Sequence, residues 1–180
     1  MNFIDEKITQ FIFQLIPRNT FFNYFFSFFS LQGNSLFIGI FIIAVIIVIE
    51  EMFRPGIQKT DLNLIFYFLI SFSITVSVVN FVLKPMFHRP RPILNTKYLI
   101  LDTSSCPQDF SFPSSHAATA FAAATVLVFF DKKRRWFYLS VAFLISLSRI
   151  YLGCHYFLDV IIGATLGFLI SKIVIKKIKY

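Results

Sequence analysis

Charged residues are scarce in this sequence of 180 residues: Asp, Glu, Lys and Arg together make up only 14% of it. Apolar residues account for 57%, and the mean hydropathy is +0.73. A soluble core of this size cannot bury so much apolar surface, so lipid must surround most of the chain. The composition therefore excludes an ordinary soluble protein, and the length allows one domain and no more.

Cysteine is also scarce, and the two present, Cys106 and Cys154, form neither a CxxC pair nor a Cys/His metal-binding spacing. We expect no metal and no cofactor. Whether the two cysteines pair stays open, because spacing in the sequence does not determine their distance in space. The sequence opens without a basic segment followed by an apolar run, so no cleavable signal peptide is expected.

Positive charge is in excess, with a net charge of +8. The basic residues cluster at the ends of apolar segments, where membrane proteins keep them, and they form no stripe with interleaved aromatic residues. This distribution excludes nucleic acid as a partner and favours the bilayer.

Five apolar stretches are long enough to cross a bilayer, since each has about 17–22 residues against the roughly 20 required. They lie near residues 34–51, 62–83, 114–130, 136–153 and 156–175. The sequence therefore predicts an all-α polytopic membrane helix bundle, a single membrane-embedded domain over residues 1–180.

The N-terminal region, residues 1–31, has a different pattern. Apolar residues recur with helical spacing over residues 3–16 until Pro17, which predicts a helix lying in the membrane interface. Residues 20–31 are apolar but short, so they form either a second interfacial helix or half of a bent span. The bundle then has five spans, or six if this segment also crosses.

The basic residues also predict the topology. The loop 131–135 (DKKRR) and the lysine-rich tail fall on the same side of the predicted bundle, which the positive-inside rule assigns to the cytoplasm. Residues 84–113 and the turn near residue 154 then face the extracytoplasmic side of the cell membrane. This outer loop is itself basic, and a site that binds an anion would explain the exception.

The first stretch with chemical potential begins where a predicted span ends, at Lys84, and runs to Arg91 and Pro92. Its three prolines prevent a regular helix and stiffen the chain. Lys84 offers a point charge and Arg91 a planar fork, two cation types that suit phosphate oxygens. The alternative is a basic patch that contacts lipid headgroups.

The second stretch is Pro113-Ser114-Ser115-His116, followed by an alanine-rich segment. Ser114 is an expected N-cap of a helix whose free N–H groups would face an anion. His116 would then lie in the first turn, beside whatever the amides bind. Alone, this stretch is more simply a capping serine with an incidental histidine.

The third stretch places Ser148 and Arg149 at the end of one span and His155 and Asp159 at the start of the next. Such residues are costly in a membrane. His155 and Asp159 are four residues apart and share a helix face, where a carboxylate would fix the imidazole tautomer. The alternative is a structural Arg–Asp pair with a bystander histidine.

Together the three stretches resemble the type 2 phosphatidic acid phosphatase family, also called lipid phosphate phosphatases. The family pattern is Lys, six residues, Arg-Pro; then Pro-Ser-Gly-His; then Ser-Arg, five residues, His, three residues, Asp. The first and third motifs have these spacings here, from Lys84 to Arg91 and from Arg149 to His155 and Asp159. The resemblance covers about residues 84–160 in motifs and extends to residue 175 in spans.

This resemblance implies a metal-independent phosphatase that works through a phosphohistidine. His155 would be the nucleophile, Asp159 would orient it, and His116 would protonate the leaving lipid oxygen. The remaining implied site residues bind the phosphate: Lys84, Arg91, Ser114, Ser115 and Arg149. Phosphoryl transfer depends mainly on positioning and charge stabilisation, and three cations can provide both.

The second motif departs from the family, because Ser115 stands where glycine is usual. If only the amide N–H matters, serine can supply it. If the position requires a positive φ, Ser115 adds strain and lowers activity.

Three other interpretations are weaker. A vanadate-dependent haloperoxidase shares the site pattern, but those proteins are soluble and much longer. A membrane transporter or sensor that binds lipid phosphate would leave the two histidines without a task. A purely structural membrane protein would leave all three motifs to chance.

The lipid itself cannot be read from the sequence. Undecaprenyl diphosphate, phosphatidylglycerophosphate, phosphatidic acid and a lipid A phosphate would all need the same pocket. The oligomeric state is equally unreadable.

Overall fold

The computed structural model describes residues 3–30, 59–92 and 106–178, which are helices joined by short loops without any strand in these ranges. Two N-terminal helices, α1 (Phe3–Leu15) and α2 (Thr20–Ser30), precede the bundle. The bundle helices are α3 (Lys59–Ser77), α4 (Ser115–Phe130), α5 (Arg135–Tyr151) and α6 (Phe157–Ile178).

The predicted spans correspond to these helices except for the stretch near residues 34–51, which lies outside the described residues. Two helical segments are long and apolar enough to cross a membrane, Asp61–Phe87 and Phe157–Lys177, and Ser115–Phe130 is a shorter apolar helix. The all-helical class is therefore confirmed for the described residues, whereas the count of five spans stays a prediction.

Helix α3 changes its hydrogen-bonding pattern before it ends. It continues as a π-helical segment (Val78–Leu83) and a last helical turn (Lys84–Phe87). Pro85 has no N–H to donate, and the N–H of Lys84 bonds to the carbonyl of Val79, five residues back. The wider turn sets the orientation of the last helical turn, which begins at Lys84.

Helices α4 and α6 pack closely because small residues line their contact. A Cβ atom on Gly163 would lie 2.5 Å from the carbonyl oxygen of Ser114, and one on Gly167 would overlap that of Ala118. Ser171 lies one turn further along α6 and donates a hydrogen bond to a carbonyl of α4. This close contact, defined here as the α4–α6 seam, fixes the starts of the two helices against each other.

Helix α1 has its polar side turned inward. Asp5 and Thr9 are buried, whereas several large apolar residues are exposed: Phe3, Ile4, Phe11 and Leu15. Helix α2 attaches through Phe26, whose ring stacks on Tyr151 of α5 with centroids 4.4 Å apart. That both helices lie in the membrane interface stays a prediction.

Candidate active site

The turn between α5 and α6 brings His155 into the protein interior. Gly153 adopts a positive φ of 69°, which lets the chain reverse. The carbonyl of Arg149 accepts hydrogen bonds from the N–H groups of Cys154 and His155, at 3.0 and 3.2 Å. These bonds place His155 directly before the first turn of α6, with only 1% of its surface exposed.

The two ring nitrogens of His155 have different partners. Nδ1 lies 2.7 Å from the carbonyl oxygen of Ser111, which can only accept, so Nδ1 carries the proton. Nε2 is then an acceptor and lies 3.0 Å from an N–H of Arg91. The carboxylate of Asp159 is 3.6 Å from Nδ1, farther than the Ser111 carbonyl.

The surroundings of His155 keep its imidazole neutral. Burial, followed by the charges of Arg91, Arg149 and Lys84, holds the pKa of His155 well below its usual value. A neutral ring with a proton on Nδ1 leaves the lone pair of Nε2 free on the side of the arginine.

Asp159 lies in the first turn of α6 and caps the start of that helix. Its carboxylate accepts a hydrogen bond from the N–H of Tyr156 at 2.9 Å and an ion-paired bond from Arg89 at 2.6 Å. Its backbone carbonyl accepts the N–H of Ser114 at 2.9 Å, which ties the start of α6 to the start of α4.

Lys84 and Arg91 form one side of the site, defined here as the paired wall together with Asp109. Both cations are buried, and both contact the carboxylate of Asp109. Arg91 also donates to the carbonyls of Asp109 and Cys154, at 2.8 and 2.9 Å. Burial would raise the pKa of Asp109, but hydrogen bonds and charge from Lys84 and Arg91 outweigh it and lower that pKa.

Arg149 and His116 form the other side, defined here as the open wall. Arg149 is 0% exposed, and one of its terminal nitrogens donates to Ser30. Its Nε and other terminal nitrogen, like Nε2 of His116, are buried without a hydrogen-bond partner among the described residues. Buried donors are rarely left unpaired in proteins, so we expect an acceptor from outside the described residues at the open wall.

Ser114 and Ser115 begin α4 in different ways. Ser114 is the N-cap, and its hydroxyl accepts the N–H of Ala117 at 3.4 Å. The hydroxyl of Ser115 donates to Asn80 of the π-helical segment at 2.5 Å. Ser115 is not strained, because His88 is the single non-glycine residue with positive φ in the described ranges. The concern about a missing glycine therefore does not apply to this backbone.

The two cysteines form a disulfide, with Cα atoms 5.5 Å apart. The Cys106–Cys154 bond joins the loop that carries Asp109 to the turn that carries His155. The question that the sequence left open is thus answered by the tertiary structure.

Comparison with known proteins identifies the family. The PAP2 superfamily model matches residues 62–180, more than half of the chain, and the chain belongs to this superfamily. It is 46% identical over 61 residues to the bacitracin transport permease protein BcrC of Bacillus licheniformis (34% of this chain, 30% of that protein). It is 34% identical over 115 residues to an undecaprenyl-diphosphatase of Sulfolobus acidocaldarius (63% of this chain, 53% of that protein).

A solved structure has a similar fold. The crystal structure of Aquifex aeolicus LpxE superposes with a TM-score of 0.67 and 27% identity, over 96% of this chain and 95% of that one. The chain spans about a third and about half of the lengths of the two curated relatives. Family membership and the two long apolar helices together identify a membrane protein.

The structure brings His155, His116, Lys84, Arg91 and Arg149 within electrostatic range of one another. Asp159 and Ser114 lie at the helix starts beside them, and the hydroxyl of Ser115 is turned to Asn80. Sequence reasoning did not select several residues that complete this arrangement: Asp5, Ser30, Asn80, Arg89, Asp109 and the Ser111 carbonyl. The four-residue spacing of Asp5 and Thr9 places two polar residues on one face of a helix, and this pattern could have identified them. A backbone carbonyl leaves no such pattern in the sequence.

Proposed function

We propose that this protein is an integral membrane phosphatase that removes phosphate from a lipid. The observation that carries the proposal is the open wall, where buried nitrogens of Arg149 and His116 have no hydrogen-bond partner among the described residues. A phosphate group would supply acceptor oxygens to both residues.

The paired wall supports the same ligand chemistry. Lys84 and Arg91 already bind an anionic group, the carboxylate of Asp109. A phosphate that bridges the two walls would take the place of this carboxylate. With Arg149, three cations would then stabilise its charge, and for this reason we propose that no metal ion is needed.

His155 is suited to be the nucleophile. Its Nε2 is an unprotonated acceptor within 3.0 Å of Arg91, and Ser111 and Asp159 hold the opposite side of the ring. In the first step a bond forms between Nε2 and phosphorus while the bond from phosphorus to the lipid oxygen breaks. His116 donates the proton that the leaving oxygen takes up.

The second step restores the enzyme. Water attacks the phosphohistidine, the bond between phosphorus and Nε2 breaks, and His116 recovers a proton from that water. Inorganic phosphate leaves, and His155 is again neutral. The amides of Ser115 and His116, at the start of α4, favour an anion throughout the cycle.

The position of the site suits a lipid headgroup. It lies where α3 ends and where α4 and α6 begin, so the chain order of the helices places loop 131–135 and the end of α6 at the opposite end of the bundle. With the basic end in the cytoplasm, the site and residues 84–113 face outward. The N-terminal helices, residues 1–31, would flank the site in the interface.

Undecaprenyl diphosphate is the first substrate to test, since one relative is named for that activity. Phosphatidylglycerophosphate, phosphatidic acid and a lipid A phosphate complete the panel. The purified protein is expected to release phosphate from at least one of them, with chelator present. His155→Ala should abolish release while the protein remains folded in detergent, and the exposed His88, replaced by Asn, is the matched control.

A lipid-phosphate transporter or sensor is the second candidate, because one relative is named as a transport permease. The same panel separates the two. Binding of lipid phosphate without release would contradict the phosphatase, and full release by His155→Ala would contradict the role of His155 as the nucleophile.

A further inference from the structure

Arg89, which follows the last turn of α3, joins two buried carboxylates. One terminal nitrogen lies 2.6 Å from Asp159, and the other lies 2.6 Å from Asp5 of helix α1. The guanidinium also lies over the ring of Tyr156, 4.0 Å from its centroid. Only a planar fork with separate donors reaches two carboxylates in this way, which a lysine would not reproduce.

Helix α1 also completes the start of α6. The first N–H groups of a helix have no partner within it. Here the carboxylate of Asp5 accepts the N–H of Leu158, and the hydroxyl of Thr9 accepts the N–H of Phe157, each at 2.9 Å. A helix far away in the sequence thus fixes the turn that follows His155.

Their charges explain why the side chains of Arg89, Asp5 and Asp159 act together. Asp5 and Asp159 are 1% and 0% exposed, so each carboxylate needs a partner inside the protein. Arg89 is the cation that both of them contact. Losing it would leave two buried negative charges near each other, and the carboxylate of Asp159 would lose a fixed position.

Arg89 reaches the ring of His155 by two routes. Its side chain holds Asp159, which lies 3.6 Å from Nδ1 of His155. Its backbone carbonyl accepts the N–H of Ser111 at 2.8 Å, and Ser111 in turn accepts the Nδ1 proton. The backbone route remains when the side chain is replaced, so a substitution of Arg89 tests the route through Asp159.

We propose that Arg89 is a positioning residue for His155, and that Asp5 makes helix α1 part of this device by fixing Arg89 and the first turn of α6. Neither residue belongs to the phosphate-binding set, and the inference rests on the proposed phosphatase function. It assigns the N-terminal helix a part in turnover in addition to any contact with the membrane surface.

The experiment compares Arg89→Ala, Arg89→Lys and Asp5→Asn with Glu6→Gln, a matched loss of negative charge on the same helix. Arg89→Ala should lower kcat about 10- to 100-fold, as when supporting partners of metal-bound histidines are lost. KM and inhibition by inorganic phosphate should stay within about twofold, because the cations that bind phosphate remain. Arg89→Lys and Asp5→Asn should fall between Arg89→Ala and the unchanged Glu6→Gln.

A double-mutant cycle tests whether Arg89 acts through Asp159. Added to Asp159→Asn, the Arg89→Ala change should cost less than about twofold more in kcat. Full additivity, or weaker phosphate inhibition that matches the fall in kcat, would overturn the proposal. Melting temperatures in detergent verify folding, and the milder Arg89→Lys decides the question if Arg89→Ala does not fold.

Nitrogen NMR of the imidazole rings makes the test independent of turnover, since the chain has three histidines. His155 should show a proton on Nδ1 in both proteins, because the Ser111 carbonyl remains, but its Nδ1 signal should shift in Arg89→Ala, where Asp159 loses its fixed position. An unchanged His155 signal in Arg89→Ala would refute the positioning role. Absence of phosphate release by the unaltered protein would instead refute the proposed function, and the NMR comparison would still decide the role of Arg89.

Discussion

Both walls of the site carry positive charge, but they differ in whether their nitrogen atoms have hydrogen-bond partners. Every terminal nitrogen of Arg91 in the paired wall has an acceptor, and Lys84 has Asp109. In the open wall, two nitrogens of Arg149 and one of His116 have none in the described part of the chain. Within the described residues, the protein supplies an anion to the paired wall and no acceptor to these nitrogens of the open wall.

We infer from this difference that one wall governs phosphate affinity and the other governs the rate of reaction. Asp109 is on a loop and 46% of its side chain is exposed, so we expect a bound phosphate to displace it. Arg149 is held by Ser30 and cannot reach water. We therefore expect changes at Asp109 to alter phosphate affinity and changes at Arg149 to alter the rate of reaction.

The largest effect is expected in the open wall. Arg149→Met should lower kcat/KM by about 100- to 1,000-fold, the range for loss of one preorganised donor to a developing charge. Phosphate release measures it, and Arg135→Met, at the exposed start of the same helix, is the control. A loss below about fivefold would show that the unpaired nitrogens do not meet the substrate.

The next effect concerns the seam that holds the open wall against α6. Gly167→Ala should destabilise the protein by about 1–3 kcal/mol, because the new methyl group overlaps the carbonyl of Ala118. His116 on α4 would shift with its helix, so activity should fall as well. Unfolding in detergent compared with the exposed Thr165→Ala measures the change, and equal stability of the two variants would contradict it.

A smaller effect is expected in the paired wall, where a substitution should strengthen phosphate binding. Asp109→Asn should strengthen inhibition by inorganic phosphate about two- to fivefold, because partly exposed ion pairs contribute up to about 1 kcal/mol. Asp131→Asn, in the loop at the other end of the bundle, controls for the lost charge. Weaker inhibition in Asp109→Asn would mean that the carboxylate helps to build the phosphate site.

The smallest effect concerns the protonation of His155. Because the pKa of His155 is lowered, its ring should remain neutral through its usual value of about 6.5 and gain a proton only at lower pH. The neutral ring, which is the form needed for attack, therefore persists as the pH falls through the usual pKa value and is lost only at lower pH. Nitrogen NMR of the free protein reports this directly, and protonation near pH 6.5 would contradict it.

Sequence reasoning selected much of the site because the chemistry is carried by particular side chains at fixed spacings. Lys84, Arg91, Arg149, His116 and His155 do come together, although their roles stay predictions. The sequence could not indicate that the carbonyl of Ser111 lies nearer to Nδ1 than Asp159 does. A backbone carbonyl has no residue type, so only the path of the loop places it.

By itself, the sequence determined the helical class, the helix positions in the described residues and the set of cations, because hydrophobic length and residue type are local properties. The tertiary structure decided which of these cations have a partner. It also decided that Cys106 meets Cys154 and that Asp5 meets Arg89, since such contacts depend on how distant segments pack. Burial gives these contacts their weight, because a buried charged group without a partner costs free energy.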